Sequence, residues 1–174
     1  MILSGEKWID LCQEFYRENR EDLMEASHYI FAGKGVGGKV AQEAALKVLE
    51  TLCFAANGYE YEEFLHGPAC CTDEKLALFL YLTNDEDQKR IIQTAEIIRK
   101  ASVNCYIISH DRSVLGEKIL FLPDSEEYYL SPFSDILFAQ LISARLTEDM
   151  GRTRHPAVKN IFQDMGTKIP FPEK

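Results

Sequence analysis

Glu43, Lys47 and Glu50 recur at i, i+4 and i+7, so a helix through them carries two carboxylates and an ammonium as one stripe. Ala and Leu flank the stripe, and a carboxylate in apolar surroundings is pushed toward neutrality, where it can both take and return a proton. The plainer alternative is a solvated Glu–Lys ladder, worth roughly 0.2–0.5 kcal/mol per pair. Farther along, Glu63 and His66 precede Gly67-Pro68. An imidazole is tunable near neutral pH, and Gly-Pro sets it at a chain turn where it is held in place and partly open. Taken alone, His66 reads as a loop histidine as readily as a catalyst.

Two other groups of residues invite chemistry. Gly33, Gly35 and Gly38 spell GxGxxG between an apolar run and a helix, the setting in which backbone N–H groups cradle a pyrophosphate. The acid expected at the end of a second strand is missing from this reading, because position 53 falls inside the helix and the next strand ends only at Leu82. The glycines therefore read as a close strand–helix approach, and no cofactor is expected. The five cysteines (Cys12, Cys53, Cys70, Cys71, Cys105) are odd in number and show no CxxC spacing. Cys70 and Cys71 could close a strained disulfide or grip a soft metal, but without ligand spacing around them no metal site is expected, and reduced thiols are the reading.

The elements that must position these residues follow from periodicity. Trp8, Ile9, Cys12, Phe15 and Tyr16 have helical spacing within Glu6–Glu18, and the charged segment 17–25 leads to a strand at His28–Ala32. Val40–Ala56 reads as a helix with a wide apolar arc. Further strands are expected at Leu76–Leu82, Val103–Ser109 and Lys118–Leu122, the first apolar throughout as in a strand covered on both faces. Helices are expected from Asn84 or Asp85 to Ala101 and from Ser131 to Glu148. Strands alternating with helices argue for a parallel sheet with helices on both faces. The organisation expected is an N-terminal helix and linker over 1–27, one α/β domain over 28–150 and a basic, proline-bearing tail over 151–174.

Composition bounds the partners. The 174 residues include 19 Lys and Arg against 28 Asp and Glu, a net charge of −9 that disfavours phosphate backbones, so no nucleic acid is expected. No apolar run approaches the ~20 residues of a membrane span, and no signal peptide is evident, so no membrane association and a cytoplasmic location are expected.

Together the residues Gly33-x-Gly35, Glu43-x-x-x-Lys47-x-x-Glu50 and Glu63-x-x-His66-Gly67-Pro68, followed by an apolar strand, resemble the sugar-isomerase (SIS) domain. The resemblance is to the second SIS domain of glucosamine-6-phosphate synthase and fructosamine-6-phosphate deglycase-type proteins, and covers about residues 29–109. It implies an α/β, three-layer flavodoxin-like sandwich with a mainly five-stranded parallel sheet, acting on sugar phosphates or amino-sugar phosphates. By this resemblance Glu50 is the acid/base that moves a proton between C1 and C2. His66 opens the sugar ring, often in a neighbouring subunit's site, and Glu43, Lys47 and Glu63 position substrate, with Lys168 as a tail candidate. The family's phosphate-gripping loop is replaced here by Asp85-Glu86-Asp87, which repels phosphate. A homo-oligomer or a partner SIS-domain chain is therefore expected to complete the site. The alternative is a non-catalytic module that binds phosphosugars or only dimerises.

Overall fold

A computed structural model of the chain describes residues 2–82, 88–123 and 131–151, with side chains from residue 7 onward. In chain order the elements are α1 (Ile2–Glu25), β1 (His28–Gly33), α2 (Val36–Thr51), β2 (Ala55–Glu60), α3 (Tyr61–His66), a 3₁₀ turn (Pro68–Cys71), β3 (Leu76–Leu82), α4 (Gln88–Lys100), β4 (Asn104–Ser109), β5 (Ile119–Phe121) and α5 (Ser131–Asp149). The five strands form one sheet in the order β2-β1-β3-β4-β5, and every adjacent pair is parallel. That is the flavodoxin-like order, with its topological switch between β1 and β3.

Strand alternation divides the interior into two cores. On one face Phe31, Phe79 and Tyr106, register neighbours on β1, β3 and β4, stack at centroid distances of 4.9 and 5.1 Å. The apolar faces of α1, α2 and α5 close over them. On the other face Ile30, Leu78 and Ile107 pack with Tyr61 and Phe64 of α3 and Ile91, Ala95 and Ile98 of α4. All seven residues of β3 are buried, as its unbroken apolar run requires.

Three expectations are corrected. The first helix runs to Glu25 rather than ending at Glu18, and its Trp8, Cys12, Phe15 and Tyr16 are buried in the core. The second helix stops at Thr51, with Leu52 as its cap and Cys53 in a left-handed conformation (φ 55°) that breaks it. Ala55–Glu60, whose first residues the periodicity assigns to that helix, is instead the edge strand β2. Its sequence, Ala-Ala-Asn-Gly-Tyr-Glu, lacks the β-branched signature because α2 lies so close above it. A Cβ on Gly58 would meet the Ala41 carbonyl oxygen at 2.3 Å. Small residues are the condition for that approach, and they also read as helix formers.

The glycine turn is corrected in part. With β2 present an acid does end the second strand, Glu60, which lies beside Gly33 in register. Its carboxylate is already engaged, accepting from the Glu62 backbone N–H at 2.7 Å as the N-cap of α3. A Cβ on Gly33 would approach the Gly37 backbone to 2.7 Å, and one on Gly38 would approach the Gly33 carbonyl oxygen to 2.9 Å. These contacts explain the two glycines as close packing of β1 on α2.

Candidate functional site

α2 places Glu43, Lys47 and Glu50 on the side facing away from the sheet, because Val40, Ala41, Ala44, Ala45 and Val48 take the buried side. The Lys47 ammonium lies 3.1 Å from Glu43 and 3.0 Å from Glu50, one cation between two carboxylates. Hydrogen bonds to Glu50 and then Glu43 raise the Lys47 pKa against a small desolvation effect. The described residues do not enclose Glu50 in apolar surroundings as expected. Its side chain is 44% exposed and is already paired with Lys47. Leu46 and Leu49, both exposed, border the stripe.

His66 and Glu63 sit elsewhere. Both lie on α3, whose Tyr61 and Phe64 pack into the core on the far face of the sheet from α2. Glu62 of the same helix is paired with Arg90, and the Tyr61 hydroxyl lies 2.7 Å from that of Thr94, which together fasten α3 to α4. His66 is the last residue of α3 and is exposed, as is Glu63. α2 also runs against the direction of β2. Its start, Gly38, approaches the strand's last residue Glu60, and Ala41 lies over Gly58. Glu50 therefore lies about 18 Å farther along the helix axis, toward the start of β2. The chain brings Glu43, Lys47 and Glu50 together and keeps His66 and Glu63 on the other side of the sheet. Lys168 and the run Asp85-Glu86-Asp87 lie outside the described residues.

A second polar group lies outside the motifs singled out above. His110, just past β4, has Nδ1 2.9 Å from the Pro123 carbonyl oxygen and Nε2 3.0 Å from Asp135 Oδ1 on α5. The His110 and Asp135 side chains are nearly buried. Burial pushes the Asp135 pKa up, and the hydrogen bond and charge of His110 oppose that shift. The sequence signals are a histidine directly after a buried strand and an acid among the apolar residues Ile136, Leu137 and Phe138. Among the described residues no three His, Cys, Asp or Glu side chains gather as a metal site, and no helix is long and apolar enough to cross a membrane.

The doubly wound sandwich defined by this sheet order and its two helical layers is a phosphosugar isomerase-type domain by its relatives. The SIS domain family model matches residues 22–147, and the chain belongs to that family. It is 29% identical over 140 residues to glutamine--fructose-6-phosphate aminotransferase [isomerizing] of Chlorobaculum tepidum, covering 78% of this chain and 23% of that protein. The chain thus spans about a quarter of the length of the curated relatives it matches. The structure of an assigned phosphosugar isomerase from Clostridium difficile superposes with a TM-score of 0.73 at 25% identity, over 84% of this chain and 41% of that one. A protein of Escherichia coli CFT073, solved as a ligand complex, superposes at 0.69 with 17% identity and 93% coverage of both chains.

Proposed function

We propose that this chain supplies the proton-transfer face of a phosphosugar isomerase or deglycase site that is completed by another SIS domain. The observation that carries the reading is the placement of Glu50 and His66 on opposite faces of one sheet. Neither can act with the other inside a single chain, whereas a second domain docked on α2 would bring its own histidine to the stripe. Docking would also place apolar cover over Glu50, whose side chain is 44% exposed among the described residues. Removal of water there raises a carboxylate toward the pH at which it can both accept and return a proton.

In this reading Glu50 moves the proton between C1 and C2 of an open-chain sugar phosphate or amino-sugar phosphate. Lys47 holds Glu50 and Glu43 in register, and Glu43 and Glu63 orient hydroxyl groups. His66 acts in the partner's site as the ring-opening group. The relatives' names, which include fructose 6-phosphate as substrate, support the substrate class. The run Asp85-Glu86-Asp87, which repels phosphate, favours a second reading in which the chain is a non-catalytic binding or dimerisation module.

The test is exchange of the sugar's C1 and C2 protons in deuterated water, followed by NMR with fructose 6-phosphate or glucosamine 6-phosphate. Exchange that depends on Glu50 supports the enzyme. Binding without exchange, in the chain alone and with a partner SIS domain, leaves the module.

A further inference from the structure

The five thiols fall into two chemical groups. Cys12 and Cys105 are buried, and burial pushes both thiols up to about 12, so almost no thiolate forms at neutral pH. Cys53, Cys70 and Cys71 are exposed. Cys53 follows the cap of its helix with no neighbouring cysteine in sequence, whereas Cys70 and Cys71 are adjacent on the 3₁₀ turn. Only Gly67 separates that turn from His66, and its first hydrogen bond runs from the Cys70 N–H to the Gly67 carbonyl oxygen at 2.9 Å.

We propose that Cys70 and Cys71 form a thiol-modification site, where a small disulfide is reduced while the two neighbours close into a strained, readily reversed disulfide. One cysteine thiolate attacks RS–SR, forming a mixed disulfide and releasing RS⁻. The adjacent thiolate then attacks the cysteine sulfur of that adduct and expels the second RS⁻. Both cysteine sulfurs are oxidised, RS–SR is reduced to two thiols, and the two protons lost by the cysteines end on those thiols.

Geometry decides the character of the product. Adjacent Cα atoms are held ~3.8 Å apart by the trans peptide, short of the ~4.4–6.8 Å at which disulfides are relaxed. The ring therefore closes only by re-setting the backbone of the turn, and the strain makes it easy to reduce. His66, joined to that turn through Gly67 alone, moves with it. The modification does not depend on the proposed function, although any effect on turnover rests on it.

The experiment treats the native protein with oxidised glutathione and reads intact mass. In the Cys53→Ser variant the expected product has lost two hydrogens and carries no glutathione, and dithiothreitol restores the starting mass. In Cys53→Ser/Cys70→Ser and Cys53→Ser/Cys71→Ser one glutathione is retained, because the resolving thiol is gone. Retention of glutathione by Cys53→Ser to the same extent as by the double variants would overturn the proposal, as would no reaction at either cysteine. The His66 imidazole NMR signals shift when the ring closes, and signals that stay in place would overturn the coupling to His66. A loss of turnover without the mass change would bear on the proposed function alone.

Discussion

His110 Nε2 and Asp135 Oδ1 are hydrogen-bonded across 3.0 Å in a nearly buried setting between the end of β4 and the first turns of α5. The Pro123 carbonyl can only accept, so Nδ1 of His110 donates to it. Nε2 then either donates as an imidazolium to the Asp135 carboxylate or accepts from a protonated Asp135. One imidazole thereby ties together the end of β4, the chain leaving β5 and α5.

The pair makes a graded prediction. Asp135→Ala leaves Nε2 buried without that partner and lowers stability by about 1–3 kcal/mol, whereas Asp135→Asn costs less because the amide can still donate to a neutral imidazole. Urea denaturation of the two variants checks this, and equal costs would contradict it.

The same carboxyl sets a pH dependence. Burial raises the Asp135 pKa in the fold above 3.8, so the unfolded chain releases that proton first. Its contribution to stability is complete below 3.8 and is lost as pH rises through the folded value. The stability of the native protein minus that of Asp135→Asn should fall as pH is raised from 3.8, and a rising difference would reverse the assignment.

Gly58 and Gly67 separate a packing glycine from a tolerant one. Gly58→Ala drives a Cβ into the backbone of Ala41 and Gln42, at 2.3 and 2.4 Å, with no flexible side chain to yield. It should destabilise by about 1–3 kcal/mol or more. A Cβ at Gly67 meets nothing within 4 Å and its φ of −164° lies outside the left-handed region, so Gly67→Ala should cost much less than Gly58→Ala. Thermal denaturation distinguishes the two.

Lys47 links stability to alkaline pH. Its pairs with Glu50 and Glu43 raise its pKa, so their contribution is present below 10.5 and is lost as pH rises through the folded value. Both carboxylates are exposed enough for the effect to be small. Lys47→Met should remove this alkaline slope while leaving the fold intact, as circular dichroism against pH will show.

Under the proposed function, Glu50→Gln abolishes turnover with little change in substrate affinity, because general acid–base steps contribute ~10²–10⁴-fold and an amide cannot accept the proton. Glu43→Gln costs less, since positioning is shared, and His66→Asn slows cyclic substrates more than open-chain ones. If the partner is a second copy, mixing Glu50→Gln with His66→Asn chains restores activity, because one hybrid site receives both native side chains. Steady-state kinetics of the mixture decides, and equal small losses for Glu50→Gln and Glu43→Gln would reduce the stripe to a solvated ladder.

Much of this molecule was legible in local spacing. The i, i+4, i+7 stripe followed from helical geometry, because nothing beyond the helix itself is needed to align Glu43, Lys47 and Glu50. The buried run Leu76–Leu82 declared a central strand, since only a strand covered on both faces is apolar at every position. Those local patterns, with the family motif, carried the sandwich and its parallel sheet. Tertiary packing decided the rest. β2 became a strand because it pairs with β1 while α2 presses on Gly58, contacts between segments that no local window contains. Trp8 and Phe15 became core because α5 and the sheet cover them. His110 and Asp135 became a pair because β4 and α5 meet there. Glu50 and His66, near in sequence and joined in one motif, were set on opposite faces because successive helices of a doubly wound sheet pack on whichever face their own apolar side chains can be buried.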